Sequence, residues 1–436
     1  MINLKLLFGA LQWTAFIIAS AIVVPIAIGQ SFGLNQGETA GLVQSTFFVL
    51  GTTAFIQCLL GHRLPINESP AGLWWGVYTI YAGLTGTVFA THIETLQGLQ
   101  GAMLLSAVFF FIFSLFKVID KLAVMFTPVV TGIYLLLLVI QLSDPIVKGV
   151  MGIGYRKNEV DIPVFLLAVV IMLATFLMSR SNVPILKQYS ILIALFGGWI
   201  LFAVFGVAKA PERANQLFHL PDIFPFGMPM FDSGLVVTSL FITVLLIVNM
   251  LASIRVVEGA VKQFEKLEER KRARPAGFIA SVSHLLSGLL GAVGTVPISG
   301  AAGFIQTTRM SSKKPFLLGS LIVIVISFFP LVMNTFASLP SPVGFAVNFV
   351  VFSTMVGLAF AEFDSYEKDE AGRIRFVTGI ALLAGVGVMF VPESALEGMH
   401  PVFVSILSNG LVLGTIVAIA AEQIQLRKKK YDNIVS

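Results

Sequence analysis

Apolar residues run along this chain in blocks of about twenty, divided by short polar breaks. Neither strand alternation nor the one-sided stripe of a soluble amphipathic helix organises them. A helix that crosses the hydrocarbon core of a bilayer needs about 20 mostly apolar residues. Fourteen segments meet that description: 8–29, 38–60, 68–90, 97–117, 122–142, 163–180, 188–208, 233–257, 276–295, 297–310, 316–336, 342–361, 374–392 and 401–422. The third and tenth are interrupted by Pro and Gly, and a strict hydropathy window would pass over both. The first contains Ala19-Ser20-Ala21, which resembles a signal-peptidase site, but the apolar run continues to Ile28 and reads as a span.

The basic residues test this map. With both termini on the cytoplasmic side, 22 of the 28 Lys and Arg fall in cytoplasmic segments, from Lys5 and Arg63 through the 262–274 cluster to Lys430. Lys148, Arg156, Lys157, Lys209 and Arg213 fall outside, and Arg255 lies within a span. This is the positive-inside asymmetry of a membrane protein. Dropping either interrupted span would invert every later loop. Composition agrees: of 436 residues, 56% are hydrophobic and 12% charged, and the mean hydropathy is +0.91. A soluble chain of this length needs more charge to cover its surface. The net charge of +5 is therefore topology and contact with anionic lipid, not nucleic-acid binding.

Fourteen spans divide into seven and seven, and an odd half reverses the second copy, giving an inverted repeat. Leu64-Pro65-Ile66-Asn67-Glu68-Ser69-Pro70-Ala71-Gly72-Leu73 opens span three, and Val296-Pro297-Ile298-Ser299-Gly300-Ala301-Ala302-Gly303-Phe304 opens span ten. Both read apolar-Pro-Ile, a small polar stretch, then Ala-Gly-apolar. Proline removes a donor and disfavours helix in the residue before it. The expected fold is thus an all-α polytopic membrane protein with short extended strands interrupting spans three and ten. Helices that restart near Gly72 and Gly303 would aim backbone N–H groups and positive dipole ends at the membrane centre. Ala71 and Gly72 on one side, and Ser299, Gly300 and Ala301 on the other, are the backbone positions expected to line the pocket so formed.

Several segments resemble the nucleobase–ascorbate transporter family, the xanthine and uracil permeases. Leu11-Gln12-Trp13 and Val24-Pro25 look like its first span, with Trp13 where His is usual. Gly61-His62-Arg63-Leu64-Pro65 is similar to its entry into span three. Gly303, Thr308 and Arg309 fit its span-ten signature, whose first two polar positions are replaced here by Gly300 and Ala301. The resemblance implies a core domain of 1–117 and 233–340 and a gate domain of 118–232 and 341–436, which often mediates homodimers. It puts the substrate where spans one, three, eight and ten meet, with Ser20 at a contact position. Family carboxylate and Glu/Gln positions in spans eight and ten fall on Asn249 and Gly300, with Ser253 one turn beyond Asn249.

Among side chains, Glu68 stands out, since a carboxylate beside a break in a span is costly unless used. It is a candidate to hold a substrate N–H pair or carry a coupled proton; the bland reading is an interfacial Glu paired near His62 or Arg63. Asn249 offers both a donor and an acceptor, which suits a nucleobase edge. Gln12 and Ser20 are polar positions in an apolar helix. Trp74 and Trp75 suit ring stacking or core packing. Histidines 62, 92, 219, 284 and 400 lack metal-ligand spacing, no phosphate loop or nucleophile motif occurs, and the single cysteine, Cys58, forms no intramolecular disulfide.

The expectation is a nucleobase permease, not an enzyme, taking a purine-like or uracil-like base by alternating access. It needs no cofactor; the coupling ion is H+, with Na+ as the alternative. It sits in the inner cell membrane with both termini cytoplasmic. Rival readings are an anion transporter or channel of the same architecture, and a membrane receptor that binds without transporting.

Overall fold

The computed structural model describes residues 4–86, 88–119, 127–214, 216–268, 270–364, 370–396 and 409–435, with 399, 403, 406 and 407 besides. The expected starts of spans five and fourteen (122–126 and most of 401–408) and the topological markers Lys121 and Lys368 lie outside the described residues.

Helices dominate. The chain opens with α1 (Leu4–Ala21) and α2 (Val23–Ser31), parted at Ile22 because the ring of Pro25 collides with the carbonyl four residues back, at Ala21. α3 (Gln36–Leu59) starts on a capping box, with Asn35 and Glu38 exchanging side chain for backbone. Then come β1 (Glu68–Pro70), α4 (Gly72–Gly83), α5 (His92–Leu115), α6 (Pro128–Val150), α7 (Ile162–Ser179), α8 (Pro184–Gln188) and α9 (Ser190–Val204). The second half holds α10 (Ser233–Lys262), α11 (Ala273–Leu290), β2 (Thr295–Pro297), α12 (Gly300–Thr308), α13 (Lys313–Ser327), α14 (Pro330–Ala337), α15 (Ser341–Phe363), α16 (Ala371–Val388) and α17 (Gly410–Val435).

Among the described residues, nine helical stretches are long and apolar enough to cross a bilayer, and α13 with α14 makes a tenth, bent by 91°. The bend falls at Pro330, preceded by Phe329 in an extended conformation, so the expected span 316–336 is not one straight rod. α6 starts at Pro128 behind the Thr127 cap and runs to Val150, later than the expected 142. Its last turns are polar and held by an Asp144–Lys148 pair at 2.9 Å, which hydropathy alone does not see. α12 resumes at Gly300, three residues before the expected restart, since Ser299 already has helical dihedrals.

The helices pack most closely in two sets. In one, α1 and α3 lie on α13, α14 and α11 lie on α3, and α5 lies on α10 and α11. In the other, α6 is flanked by α15, α16 and α17, and α7 packs on α15 and α9. The sets meet where α1 touches α9, α2 touches α15 and α4 touches α6. Outward, α7 presents Leu166, Val170, Leu173 and Leu177, each more than half exposed. An apolar stripe of this kind is stable against lipid and costly against water.

The connection between α6 and α7 is fastened by Arg156, whose guanidinium donates to both carboxylate oxygens of the buried Asp161 at 2.7 Å. The pair holds the Asp161 carboxyl below its ordinary range. A depressed folded-state value stabilises above the unfolded pKa of about 3.9 and is lost as pH falls through the folded one. The thermal midpoint of Arg156→Ala should therefore lie below that of the parent at pH 7, and the gap should close as the pH drops below about 4. A gap unchanged at low pH would mean that Arg156 acts by packing.

Candidate functional site: a two-stranded ribbon between half-helices

β1 and β2 pair as a two-stranded antiparallel ribbon, with Glu68 opposite Pro297, Ser69 opposite Val296 and Pro70 opposite Thr295. The ladder continues past its ends through Ala71 N–H to Gly294 O at 2.8 Å and Ile298 N–H to Asn67 O at 3.2 Å. Exposed backbone would be prohibitive in lipid, but here every strand residue is buried and covered by α1, α3, α10 and α11. Because the strands are antiparallel, α4 and α12 leave from opposite ends of the ribbon, and each presents its N-terminus to it.

Glu68 is 1% exposed. Its Oε2 accepts from Thr295 Oγ1 at 3.0 Å, and Thr295 shares a 2.8 Å hydrogen bond with Ser283 of α11. Oε1 meets no hydrogen-bond partner among the described residues. The reading of Glu68 as an interfacial residue paired with His62 or Arg63 does not hold. His62 Nδ1 accepts from Leu64 N–H at 3.1 Å, and its carbonyl accepts from Arg272 at 2.8 Å. A buried acceptor without a donor costs roughly 1–3 kcal/mol, more if charged, which makes Oε1 a natural point of attachment for a ligand N–H.

Ser20 of α1 joins the ribbon directly. Its carbonyl accepts from Ser69 Oγ at 2.8 Å and its hydroxyl accepts from Asn67 Nδ2 at 3.1 Å. Asn67 Oδ1 is buried and unpartnered, as is the hydroxyl of Ser253 on α10. Asn249 lies one turn before Ser253 and is half-buried. Ala71 is fully buried at the cap of α4, and Gly72 is half-buried. On α12, Ser299 and Gly300 are exposed while Ala301 is buried. Gly300, Gly303 and Gln306 form one exposed face at helical spacing, small and polar where a lipid-facing surface would be large and apolar. Gln12 stands eight residues before Ser20 on the same helix, about 12 Å along its axis, and its Oε1 is buried and unpartnered. The structure thus gathers Ser20, Glu68 and Ala71 at the ribbon, with Ser299, Gly300 and Ala301 just past its far end, and leaves Gln12 two turns away.

The tryptophans belong to the core. Trp74 Nε1 donates to His284 Nε2 at 3.1 Å, while His284 Nδ1 lies 2.9 Å from the Ala280 carbonyl, an arrangement that puts the imidazole proton on Nδ1. Gly294 lies against this pair: a Cβ there would come within 2.6 Å of Trp74 Cδ1 and 3.0 Å of His284 Nε2. Trp75 packs on Phe345 and Phe352 of α15. Trp13 packs on Phe304 and Phe316, with centroids 4.3 and 4.9 Å away.

Sequence reading passed over Thr295, Ser283, Asn67 and His284. Thr and Ser in apolar helices are ordinarily silent because they bond to their own turn. The one signal available was position: Thr295 precedes the second Pro by two residues, and Asn67 precedes Glu68 in the first break.

The Xan_ur_permease family, described as "Permease family", matches residues 4–394. This chain belongs to that family. It is a multi-pass integral membrane protein and a transporter, not an enzyme. The permease is 69% identical over 435 residues to "Putative purine permease YwdJ" of Bacillus subtilis (strain 168), covering 99% of each chain. It is 23% identical to "Uric acid permease PucJ" of the same organism, over 96% of this chain and 92% of that one. Among solved structures it is similar to the transmembrane domain of the cyanobacterial bicarbonate transporter BicA, with TM-score 0.62 and 14% identity over 97% and 98% of the two chains. It is also similar to the murine anion transporter Slc26a9, with TM-score 0.65 and 13% identity over 98% and 68%. At such identities the likeness is one of fold. Of the span-ten signature residues, Gly303 lies within α12, Thr308 closes the helix and Arg309 is its left-handed cap.

Proposed function

We propose that this permease carries a nucleobase, purine-like in preference to uracil-like, in symport with protons. The observation that carries the reading is the buried Glu68 carboxyl at a ribbon between two half-helices, with one oxygen free, in a chain closely similar to a protein named as a purine permease. A planar base presents N–H donors and carbonyl acceptors on one edge. Glu68 accepts from the N–H groups, and the N-terminal turns of α4 and α12 donate to the carbonyls. Asn249 supplies a further donor and acceptor, and Ser253 a hydroxyl.

In the same proposal the chain crosses an inner cell membrane fourteen times as a 7+7 inverted repeat, with both termini cytoplasmic. Residues 1–117 and 233–340 form the moving core, and 118–232 and 341–436 the gate, through which two copies pair. The two packing sets support that division. The exposed polar face of α12, a helix that packs on α10, suits the moving boundary of an alternating-access carrier. The fold neighbours transport anions, but their likeness is of fold alone, and the relatives by sequence favour a nucleobase.

Uptake of radiolabelled xanthine, guanine, adenine, uric acid and uracil into proteoliposomes, with and without a protonophore, tests the reading. Saturable uptake of at least one purine that the protonophore abolishes is expected. Absence of saturable uptake for every base overturns the substrate class, and uptake that follows a Na+ gradient instead overturns the coupling.

A further inference from the structure

The basic cluster that the transport reading leaves unused lies around a real cavity. Where the loop after α3 meets the loop between α10 and α11, a cavity of about 370 Å³ is lined by Leu60, His62, Arg63, Arg270, Lys271 and Arg272 among others. Four of its described lining residues are permanent or near-permanent cations; Arg270 is paired with Glu268 and Arg272 lies 3.4 Å from Glu258, which leaves Arg63 and Lys271 without an ion pair among the described residues. A second cavity beside it shares Arg63, Arg270 and Arg272 and adds Lys266, Lys313, Glu265 and Glu268.

Three features distinguish the first cavity from a solvated charged surface. Its walls are fixed: Arg272 is 7% exposed and ties the loops together by donating to the carbonyls of His62 at 2.8 Å and Glu268 at 3.2 Å. Arg63 is held in the left-handed region at φ 58°, a conformation a non-glycine residue adopts only when its surroundings impose it. And α11 starts at the cavity rim with Arg272 as its cap and no side chain accepting from its first N–H groups, so the positive end of an 18-residue helix adds to the four cations. Glu268 and Glu258 meet part of this charge, and an anion in the hollow would meet the rest. On the lip, Leu59 and Leu60 are 44% and 60% exposed, an apolar ledge at the edge of a cationic hollow.

We infer that this cavity is a binding site for a phosphate-bearing anion, the headgroup of an anionic phospholipid whose acyl chains lie against Leu59 and Leu60. Lysine and arginine clusters at a membrane surface attract such headgroups; the guanidinium of Arg63 suits bidentate contact with phosphate and Lys271 adds a second charge, while the Arg270 fork is held by Glu268. The site has consequences for transport because its wall is the segment that leads, through Leu64 and Asn67, into Glu68 of the ribbon. Occupancy braces the entry to β1 and favours the closed, packed arrangement of the loops.

The inference is independent of which substrate the permease carries. The test uses the full chain in nanodiscs of phosphatidylcholine, with phosphatidylglycerol added in one series and inorganic phosphate in the buffer of another, read by thermal unfolding midpoint. Phosphatidylglycerol should raise the midpoint by several degrees, and a variant with Arg63→Gln, Arg270→Gln and Lys271→Gln should lose most of that rise. Arg272 is left in place because it holds the loops. A control with Lys314→Gln and Arg375→Gln, charges that do not line the cavity, should keep the full rise. If inorganic phosphate alone reproduces a rise that the triple variant loses, the anion site stands and its occupant is soluble. If the triple variant responds to phosphatidylglycerol as the parent does, or neither anion moves the parent, the inference is overturned. Should the triple variant not fold, Lys271→Glu alone serves, with the same loss expected.

Discussion

Glu68→Gln should fold, reach the membrane and fail to accumulate substrate. The amide keeps a carbonyl oxygen for Thr295 Oγ1, whose 3.0 Å hydrogen bond is the contact the carboxyl makes in the protein. Volume and shape hardly change, so the ribbon survives. What is lost is a titratable acceptor at Oε1, the atom with no hydrogen-bond partner among the described residues. Hydrogen bonds to charged groups contribute roughly 1.5–3 kcal/mol, so initial uptake should fall about 10- to 100-fold. The pattern across two assays separates the roles. If Glu68 carries the coupled proton, counterflow of labelled against unlabelled base persists while protonophore-sensitive net uptake disappears. If it holds the base, both fall together. Net uptake and counterflow that both match the parent would remove Glu68 from the mechanism altogether, and Thr295→Val offers a check, since it withdraws the one donor without touching the carboxyl.

The second large effect is expected at Gly294. This residue precedes β2 and accepts the Ala71 N–H that extends the ladder into α4. It lies against the indole of Trp74 so closely that a methyl group would approach Cδ1 within 2.6 Å and Nε1 within 2.7 Å. Trp74 cannot retreat, because it is fully buried and its N–H is fixed on His284. Gly294→Ala must therefore separate β2 from α4 or turn the indole out of its hydrogen bond. Overpacking of this kind costs roughly 1–3 kcal/mol, and Gly294→Val should cost more. The expected result is a lower thermal midpoint together with loss of uptake for every base, with Val worse than Ala. Uptake kept by Gly294→Val would show that the ribbon tolerates displacement and is not the element that positions the substrate. Trp74→Phe shrinks the ring and removes the donor, so it should partly restore the Ala variant while leaving His284 Nε2 unpaired.

Most of the fold was legible along the chain because the bilayer enforces a local rule. Each crossing must satisfy its own backbone, so each block of apolar residues becomes a helix wherever it lies in the sequence. Punctuation was legible for the same reason. Pro65 and Pro297 mark the two interruptions, and Pro330 bends α13 from α14 through a purely local clash. Errors of boundary arose where hydropathy and capping disagreed, as at Thr127-Pro128, or where a helix continued on polar residues beyond its apolar block, as at Asp144–Lys148. The candidate site was only half legible. Pro, Gly and Glu at a break are visible anomalies, and Glu68 was found that way. Thr295, Ser283, Asn67 and His284 carried no such mark, since a hydroxyl or imidazole in an apolar stretch gives the same pattern whether it bonds its own helix or a strand far away.

The sequence by itself determined that this chain lives in a membrane, that two of its apolar blocks are interrupted by Pro and Gly, and that a carboxylate sits at one of these breaks. Only the tertiary structure decided that the two breaks are one ribbon, that Glu68 faces Thr295 across 227 residues of sequence, and that its other oxygen is left for something else. The division follows from range. Solvation by lipid and the stereochemistry of proline act within a turn or two and are written in the residues themselves. The partner of a buried polar atom is chosen by which helices pack together, and that choice is made by the whole molecule at once.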